Sequence, residues 1–357
     1  MKYLFIINPA AGRSDPTPRI RPQIEAAAKK LGADCEFYFS RKPGDVCRYV
    51  REVCAAAAGT GEQLRFYACG GDGTAGEAAA GLLKAPNAAL GVVPLGSGND
   101  FVRSFPGRDF LDMEAQMTGE TARVDLLRCG ESISLNVCNI GMDADVAAGI
   151  NRYKKLPFVS GPLSYELSLI RTFFKKLGHH AVISLDGEEP IELDAVLTLL
   201  ANGRFYGGGY QGAPLADLSD GLMDVCIVPK VSRLTMLRII GSYKKGLHFE
   251  DERLKKQLIY RKAHHVELVY PEPVTLCVDG ECRTANRVTA ELLRQGKIVI
   301  CSPCRDAIRE FSLYRWDEKP GRDAPVKEHD HAMDDIRYFA VSLAGREEAF
   351  VSLSVER

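Results

Sequence analysis

The sequence has no long apolar run and almost no net charge. No stretch approaches the 18 or so uninterrupted apolar residues that a membrane-spanning helix requires, and the run from Tyr3 to Ile7 is too short for the core of a signal peptide. A formal charge of -1 gives no global attraction to nucleic acid or to membranes. We therefore expect a cytoplasmic protein without a nucleic-acid partner, which meets charged surfaces only through local patches.

Several common catalytic signatures are also missing. The chain contains no Gly-x-x-x-x-Gly-Lys-Ser/Thr loop, no His-Glu-x-x-His pair and no Gly-x-Ser-x-Gly elbow. Its eleven cysteines are an odd number, and several alternate with apolar residues, as Cys35 does with Phe37 and Phe39, which is typical of core thiols in a reducing compartment. The pair Cys301 and Cys304 has no second pair and no histidine pair nearby, which favours buried thiols over a metal site.

The stretch from Leu64 to Lys84 is the most informative part of the sequence. Leu64 to Cys69 predicts a buried strand, and Thr74 with Glu77 three residues later predicts a capping box at the start of a helix. The junction is Gly70-Gly71-Asp72-Gly73. Glycines let a phosphate approach the backbone, and the amides at a helix N-terminus attract an anion, so this junction predicts a phosphate site.

Asp72 is the unexpected residue of that junction. A carboxylate beside a phosphate repels it unless a cation lies between them, so we interpret Asp72 as a ligand, direct or through water, of a nucleotide-bound Mg2+. The glycines also match the dinucleotide fingerprint Gly-x-Gly-x-x-Gly. However, the acidic residue expected about 20 residues later is replaced by a second glycine-rich loop, Pro94 to Asp100, so that match is weak.

The first part of the chain alternates strands with helices, which predicts an α/β domain with a parallel, doubly wound sheet. The first helix presents Ile20, Ile24, Ala27 and Leu31 on one face. In such sheets ligands bind beyond the carboxyl ends of the strands, where four turn-prone loops would gather here. The predicted strands are Lys2 to Ile7, Asp34 to Phe39, Leu64 to Cys69 and Ala89 to Val93.

From about Thr121 the pattern changes to short alternating strands, which predicts a β-rich antiparallel sandwich as the second domain. We expect domains at 1–122, with 300–317 returning to the first, and 123–299, followed by a linker and tail at 318–357. The tail could contain a hairpin from Tyr338 to Val355, and its His329 and His331 are most simply solvated. The predicted second-domain strands are Ala122 to Arg128, Ser132 to Asn139, Ala181 to Leu185, Ala195 to Leu200, Met223 to Val228, Val266 to Val269, Val274 to Val278 and Val288 to Leu292, and the predicted helices are Pro162 to Leu177 and Leu234 to Tyr260.

Seven motifs, in order over roughly Met1 to Phe311, resemble those of the diacylglycerol-kinase-type lipid kinases, a family that includes sphingosine and ceramide kinases. The most specific is the third, because the related NAD kinases share the Gly-Gly-Asp-Gly-Thr loop but not this one. Gly76 and Ser97-Gly98 depart from the usual bacterial pattern, which puts the identity of the acceptor in doubt. The motifs are Asn8 to Gly12; Gly70 to Glu77; Pro94 to Arg103; Asn136 with Gly141 and Asp143; Asn202-Gly203 with Gly207 to Gly209; Pro214, Ala216, Asp220 to Leu222 and Asp224; and Asp279 to Glu281.

The resemblance implies an ATP- and Mg2+-dependent kinase and a role for each matching residue. Glu281 would be the general base, with Asp72 as the other catalytic residue. A second, structural Mg2+ would be held by Asp217, Asp220 and the carbonyl of Leu222, while Asp100 and Asp125 would join Asp72 in a network of carboxylates and water around the metals. ATP would contact Asn8, Ser40, Gly70, Gly71, Asp72, Gly73, Thr74, Ser97 and the neighbouring Asn99.

Some of these residues have a simpler interpretation. Asp279-Gly280-Glu281 could be a plain hairpin turn, because Asp-Gly is a common turn pair and Asp186-Gly187-Glu188 repeats the tripeptide. Asp217, Asp220 and Asp224 could be surface turn charges.

Two segments combine an excess of basic residues with apolar ones, which suits peripheral contact with an anionic lipid surface. Tyr153 to Lys176 has five basic residues against one acid, and Lys230 to Lys262 has ten against three. The alternative is that the apolar residues face the core and the lysines form a solvated rim.

We therefore predict a lipid kinase that phosphorylates a hydroxyl of a diacylglycerol-like lipid, is peripherally associated with membranes and could form a homodimer. A kinase of a soluble substrate, of the NAD kinase type, is one alternative, and Pro94 to Arg103 argues against it. The other alternative is a nucleotide- or lipid-binding module without turnover, against which the presence of both Asp72 and Glu281 speaks.

Overall fold

A computed structural model of the protein describes residues 1–153, 161–175, 177–250, 255–256, 258–293 and 297–300. All of them belong to one compact unit that runs from Met1 to Cys301. Within it the chain forms two sheets, a largely parallel one in an N-terminal lobe and an antiparallel one in a C-terminal lobe. The predicted fold class is therefore confirmed.

The sheet of the N-terminal lobe has six strands in the order β2-β1-β3-β4-β15-β5. All neighbouring pairs are parallel except β15 with β5. Both faces are covered by apolar side chains, which is why β3 and β4 are almost continuously apolar. The strands are β1 (Lys2–Ile7), β2 (Cys35–Phe39), β3 (Leu64–Gly70), β4 (Ala88–Pro94), β5 (Glu120–Arg123) and β15 (Lys297–Ile300).

Four helices connect these strands: α1 (Thr17–Leu31), α2 (Asp45–Ala56), α3 (Asp72–Gly81) and the short α4 (Met113–Thr118). Ile20, Ile24 and Ala27 of α1 are buried as predicted. The inclusion of Leu31 in that face is wrong, because Leu31 is the last residue of α1 and 38% exposed, just before a left-handed Gly32.

The predicted capping box at Thr74 is also wrong. Helix α3 begins two residues earlier, at Asp72, with Gly71 as its N-cap. Glu77 does not turn back to its own helix; its carboxylate accepts hydrogen bonds from Gly44 N at 3.0 Å and Val46 N at 3.2 Å. It therefore caps the N-terminus of the neighbouring α2, which leaves the first amides of α3 without a side-chain cap.

The C-terminal lobe contains nine strands with antiparallel pairing throughout. The sheet folds back on itself, because β9 pairs with both β10 and β13, and β8 pairs with the same two strands. The enclosed core is apolar. The strands are β6 (Leu126–Cys129), β7 (Ser132–Ser134), β8 (Val137–Gly141), β9 (His179–Leu185), β10 (Ile191–Ala201), β11 (Met223–Pro229), β12 (Ile259–Ala263), β13 (His265–Val278) and β14 (Glu281–Leu293).

Several predicted elements of this lobe need correction. The predicted strand Ala122 to Arg128 is two strands, and the two predicted strands between Val266 and Val278 are one strand with an irregularity between Val269 and Val274. The predicted helix Leu234 to Tyr260 is shorter, because Ile259 and Tyr260 belong to β12. The helices of the lobe are α5 (Met142–Tyr153), which was not predicted, α6 (Gly161–Phe174) and α7 (Arg233–Lys244).

The chain passes between the lobes twice, after β5 and again between β14 and β15. Ile300 thus lies in the N-terminal sheet. The rest of the predicted returning segment, 301–317, lies outside the described residues, as do the pair Cys301 and Cys304 and the predicted linker and tail. Among the helices in the described part of the chain, none combines the length and the apolar composition that a bilayer span demands.

Candidate active site

A cavity of about 970 Å³ lies between the two lobes. The loops that follow the first four strands of the parallel sheet all line it, as expected for the carboxyl ends of parallel strands. The C-terminal lobe closes the opposite side with α5, the segment around Tyr206 and the turn between β13 and β14. The loop residues are Asn8 to Gly12, Ser40 to Pro43, Gly71 to Thr74 and Gly96 to Gly98.

Glycine is needed where these loops touch. A Cβ atom on Gly96 would lie 2.4 Å from the Cα of Gly71, so the loops after β3 and β4 are in backbone contact. A Cβ atom on Gly70 would lie 2.4 Å from the hydroxyl of Thr74, which accepts a hydrogen bond from Asn8 Nδ2 at 3.1 Å. The loops therefore form a continuous backbone surface, on which the uncapped N-terminus of α3 is accessible from the cavity.

Asp72 is the acidic group of this surface. Its Oδ1 accepts a hydrogen bond from Phe101 N at 3.1 Å, at the start of a 3-10 helix from Phe101 to Ser104. Its Oδ2 is directed at the loop after β4, where a Cβ atom on Gly98 would lie only 2.9 Å away. One oxygen of Asp72 thus fixes the loop, and glycine at position 98 leaves the second oxygen uncovered.

Asn99 and Asp100 follow in the same loop. Asn99 has a left-handed φ of 52°. Its side chain stabilises the loop, because it accepts a hydrogen bond from Gly96 N at 3.0 Å and donates one to Gly96 O at 2.8 Å. Asp100 is buried and reaches across the lobes, because its Oδ2 accepts from Gly208 N at 2.8 Å. Burial raises the pKa of Asp100 above its ordinary value, and the nearby Asp72 adds to the effect.

Glu281 lies on the other wall of the cavity, at the start of β14. Its Oε1 would be 3.8 Å from a Cβ atom on Gly73, so the carboxyl group faces the first turn of α3. Partial removal of water raises the pKa of Glu281, with a smaller contribution in the same direction from Glu77. A raised pKa brings a carboxylate closer to the value that suits a general base near neutral pH.

The turn that carries Glu281 is fixed by Asp279, a role the sequence reasoning missed. Asp279 has a φ of 45°, and its carboxylate accepts hydrogen bonds from Ser134 Oγ at 2.8 Å, Leu135 N at 2.7 Å and Val137 N at 3.0 Å. The second Asp-Gly turn is built in a similar way, since Asp186 accepts from the backbone amides of His264 and His265. Only the first of these two turns lines the cavity.

Helix α5 provides an apolar wall that was also missed. Val146, Ala147 and Ile150 line the cavity from it. The four-residue spacing of Met142, Val146 and Ile150 is the signal that could have identified this helix. In the same helix, the half-buried Asp143 accepts a hydrogen bond from the hydroxyl of Tyr206, and partial removal of water raises the pKa of Asp143. The stretch of wall formed by Val146, Ala147 and Ile150 is thus apolar.

The residues predicted to hold a structural metal lie away from the cavity. Lys262 Nζ is 2.5 Å from Asp220 Oδ2 and 3.7 Å from Asp224 Oδ2, and Asp217 accepts from Ser219 N at 2.9 Å. Among the residues described by the structure, no three His, Cys, Asp or Glu side chains are grouped to hold a metal ion. In this structure Asp220 is thus paired with Lys262. The metal roles of Asp217, Asp220 and Leu222 stay predictions.

Asp125 lies in the connection between the lobes and is hydrogen-bonded to the loop that contains Asp217 and Asp220. Its Oδ2 accepts from Gly221 N at 2.8 Å, and its own N–H donates to Leu218 O at 2.6 Å. The amide of Asn202, which is fully buried, donates to the carbonyl oxygens of Asp125 and Leu135, both at 2.8 Å. Asp125 thus holds the two lobes together and does not line the cavity.

The structure brings most of the predicted site residues to one place. Those that do not line the cavity are Gly70, Asn99, Asp125, Asp217, Asp220 and Leu222. Those that do are Asn8, Ser40, Gly71, Asp72, Gly73, Thr74, Ser97, Asp100 and Glu281.

Two sequence profiles of known protein families match this chain. The sequence profile described as the diacylglycerol kinase catalytic domain matches residues 2–129, and the profile described as the YegS C-terminal NAD kinase beta sandwich-like domain matches residues 136–300. The chain is 31% identical over 226 residues to a diacylglycerol kinase of Mycobacterium tuberculosis, covering 61% of this chain and 71% of that protein. It is 26% identical over 281 residues to a diacylglycerol kinase of Bacillus subtilis, covering 78% and 88%.

A crystal structure of a diacylglycerol kinase from Bacillus anthracis has a similar fold. The TM-score is 0.60, the identity is 22%, and the alignment covers 84% of this chain and 96% of the other.

Proposed function

The chain belongs to the family of diacylglycerol-kinase-type lipid kinases, and on this premise we propose that it transfers the γ-phosphate of ATP to a hydroxyl of a diacylglycerol-like lipid, with Mg2+. One observation carries the proposal for this chain. The glycine-rich loops beside Asp72 lie on one wall of the cavity, and the carboxylate of Glu281 faces them from the other wall. Phosphoryl transfer asks a protein mainly for such positioning and for charge stabilisation.

The loop half of the cavity would bind the nucleotide. The uncapped first turn of α3 and the glycine contacts between the loops after β3 and β4 present backbone N–H groups to the phosphates. Asn8 keeps the hydroxyl of Thr74 in place from the first loop. Arg41 and Lys42 line the same side, after β2, and add positive charge that favours an anionic ligand.

Asp72 would hold the Mg2+ that accompanies the nucleotide. The side chain fits this task, because Oδ1 is occupied by Phe101 N–H while Oδ2 is left uncovered by Gly98. A single carboxylate together with substrate phosphates and water is a common way to bind this ion. When bound, the ion supplies neutralisation of the charge on the transferred phosphoryl group.

Glu281 would take the proton of the acceptor hydroxyl. Its carboxylate faces the first turn of α3, and its raised pKa strengthens it as a base. The four hydrogen-bonded groups that surround Asp279, including the amide of Asn136, hold the turn and thereby the position of Glu281. The acyl part of the acceptor would lie against the apolar wall formed by Val146, Ala147 and Ile150.

Contact with a membrane would be made through α6 and the start of α7. Ile170 is 56% exposed, Phe174 is 74% exposed and Leu234 is 70% exposed, which favours a lipid contact over burial in the core. Arg233 joins the two helices by donating to the carbonyl oxygens of Phe173 and Lys175. The basic side chains of Arg171 and Lys175 beside these apolar ones suit an anionic lipid surface.

Sedimentation with vesicles tests this contact. We expect binding to vesicles that contain phosphatidylglycerol, weaker binding to phosphatidylcholine alone, and a clear loss for Phe174→Ser. Leu111→Ser is the control, because Leu111 is 46% exposed in the N-terminal lobe. Equal binding of both variants would contradict the assignment of this surface.

Labelled ATP tests the proposed reaction. The protein is offered radiolabelled ATP and Mg2+ with mixed micelles of diacylglycerol, sphingosine, ceramide or monoacylglycerol, and with NAD in a parallel reaction. We expect label in a glycerolipid. Label in NADP would instead select a kinase of a soluble substrate, and no label in any product would select a binding module without turnover.

Asp72→Asn is the matched variant for that assay. Asparagine keeps the acceptor oxygen for Phe101 N–H, so folding should be preserved, while the charge that would hold Mg2+ is lost. We expect label transfer to fall to background with an unchanged circular dichroism spectrum. Near wild-type transfer would show that Asp72 has no metal role.

A further inference from the structure

Two cysteines face each other directly beside the turn that carries Glu281. Strands β13 and β14 are joined by Asp279 and Gly280, with φ values of 45° and 93°. Val278 pairs with Glu281 as the closing pair, and the next pair is Cys277 with Cys282. Both sulfurs therefore leave the hairpin on the same face.

The register suits a covalent bond between them. In a two-residue hairpin the closing pair is hydrogen-bonded and the pair types alternate, so Cys277 and Cys282 form a non-hydrogen-bonded pair with Cα atoms about 4.5 Å apart. A disulfide accepts Cα separations of roughly 4.4 to 6.8 Å. The bond can thus form with little movement of the strands.

The two thiols differ in access and in acidity. Cys282 is exposed, whereas Cys277 is buried and lines the cavity. A hydrogen bond from the Cys277 thiol lowers the pKa of Cys282, and the same bond together with burial raises the pKa of Cys277. Because the thiolate is the reactive form, Cys282 is the sulfur that an oxidant in solution meets first.

A second close pair in the chain provides a contrast. The sulfurs of Cys129 and Cys138 are 2.7 Å apart, but both residues are fully buried, and burial raises the pKa of Cys138. The two cysteines are thus close together in both pairs. Of the two pairs, only the hairpin pair contains a thiol that is both exposed and lowered in pKa, that of Cys282.

We propose that Cys277 and Cys282 are a modification site, a thiol pair that a hydroperoxide converts reversibly into a disulfide next to Glu281. The thiolate of Cys282 attacks one peroxide oxygen, the O–O bond breaks, and an alcohol or water leaves after taking a proton, which makes Cys282 a sulfenic acid. The sulfur of Cys277 then attacks Cys282; the S–S bond forms, the S–O bond breaks, and hydroxide leaves as water with the proton of Cys277. The hydroperoxide accepts the two electrons.

The disulfide is expected to slow phosphoryl transfer, and this consequence rests on the proposed function. The bond would fix the spacing of the strands one residue from Glu281. A displacement of about 1 Å at a reacting group can reduce a rate about a hundredfold. Although the strands move little, the disulfide would remove the freedom of the turn to shift Glu281 by that distance toward the acceptor hydroxyl.

Mass spectrometry after graded hydrogen peroxide tests the modification without any activity measurement. We expect the reduced protein to lose two hydrogens and, after cleavage at Asp279 or Glu281, to yield one linked peptide pair containing Cys277 and Cys282, with dithiothreitol reversing both changes. Cys282→Ser should abolish the link, and Cys35→Ser, which changes a half-buried cysteine of β2, should keep it. Absence of the linked pair, or a link between Cys129 and Cys138 in its place, would overturn the proposal.

Label transfer, measured on the same samples, tests the coupling to Glu281. We expect a loss of about tenfold to a hundredfold on oxidation, recovery with dithiothreitol, and no loss on oxidation of Cys282→Ser relative to its own reduced form. A disulfide that leaves transfer unchanged would overturn the coupling. If the reduced protein transfers no label to any acceptor, the proposed function fails, while peptide mapping still decides the modification site.

Discussion

Glu281 and Glu188 occupy the same tripeptide in two turns, yet only Glu281 lines the cavity. The difference arises from where β13 and β14 place their turn, which no local property of Asp-Gly-Glu reveals. The role of Glu281 therefore depends on where its turn lies in the fold, and Glu188 provides a control with the same local sequence.

Glu281→Gln should slow label transfer by about 10²- to 10⁴-fold, the usual contribution of a general base. ATP affinity, measured by calorimetry, should be nearly unchanged, because the interaction matters mainly in the transition state. Since the pKa of Glu281 is raised, the wild-type rate should increase with pH through a range above that of an ordinary glutamate. Glu188→Gln is the control, and an equal effect of both variants would refute the role.

His248 should make stability sensitive to acid. It is fully buried between the rings of Tyr243 and Phe249, and burial lowers its pKa to about 4 from an ordinary value of 6.5. Because the folded protein resists protonation of His248 while the unfolded chain does not, its contribution to stability is complete above pH 6.5 and is lost as the pH falls toward 4.

The variant His248→Phe keeps the aromatic contacts and removes the titration. We expect the difference in unfolding free energy between wild type and variant to change by about 1 to 2 kcal/mol between neutral pH and pH 5, at roughly 1.4 kcal/mol per pKa unit. Urea unfolding at several pH values measures it. Parallel pH profiles for the two proteins would contradict the prediction.

At the scale of elements, the sequence predicts the first four strands well because alternation and apolar runs report burial directly. It fails where a group has two possible partners. Glu77 could have capped its own helix, and only the packing of α2 against α3 directs it to Gly44 and Val46. Strand β15 has four residues and joins a sheet whose other strands end at Arg123, so no local pattern identifies its partners.

The packing of α2 on α3 requires glycine at position 81. A Cβ atom there would lie 2.6 Å from Val50 Cβ and 2.9 Å from Cys47 O. Gly81→Ala should therefore lower the unfolding free energy by about 1 to 3 kcal/mol in spite of the better helix propensity of alanine. Gly241→Ala, in α7 with nothing within 4 Å of the new atom, should raise it by about 0.5 to 1 kcal/mol. Chemical denaturation of both variants measures these changes, and equal effects would contradict the packing argument.

At the scale of the whole molecule, the two lobes share more than a cleft. Asp100 accepts a hydrogen bond from Gly208 N across the cavity. The side-chain amide of Asn202 donates to the backbone carbonyl oxygens of Asp125, where the chain crosses between the lobes, and of Leu135. The parallel sheet also contains β15, which follows the last strand of the antiparallel sheet. Neither lobe can therefore unfold without removing contacts from the other.

We expect a single unfolding transition for the region up to Ile300. Circular dichroism and calorimetry should give the same midpoint, and the calorimetric and van't Hoff enthalpies should agree. ATP at about 100 times its dissociation constant should raise the stability of the whole transition by about 2.7 kcal/mol. Two resolved transitions, with only one shifted by ATP, would contradict the interdependence of the lobes.

The position of β15 also has a consequence for synthesis of the protein. Roughly 200 residues separate β4 from β15, and a ribosome adds about 5 to 20 residues per second. The edge of β4 therefore stays open on the nascent chain for about 10 to 40 seconds before its neighbour is translated. During this interval the unfinished sheet can pair with a foreign strand, so slow translation or a scarcity of chaperones should reduce the yield of native enzyme before any mature molecule is lost to unfolding.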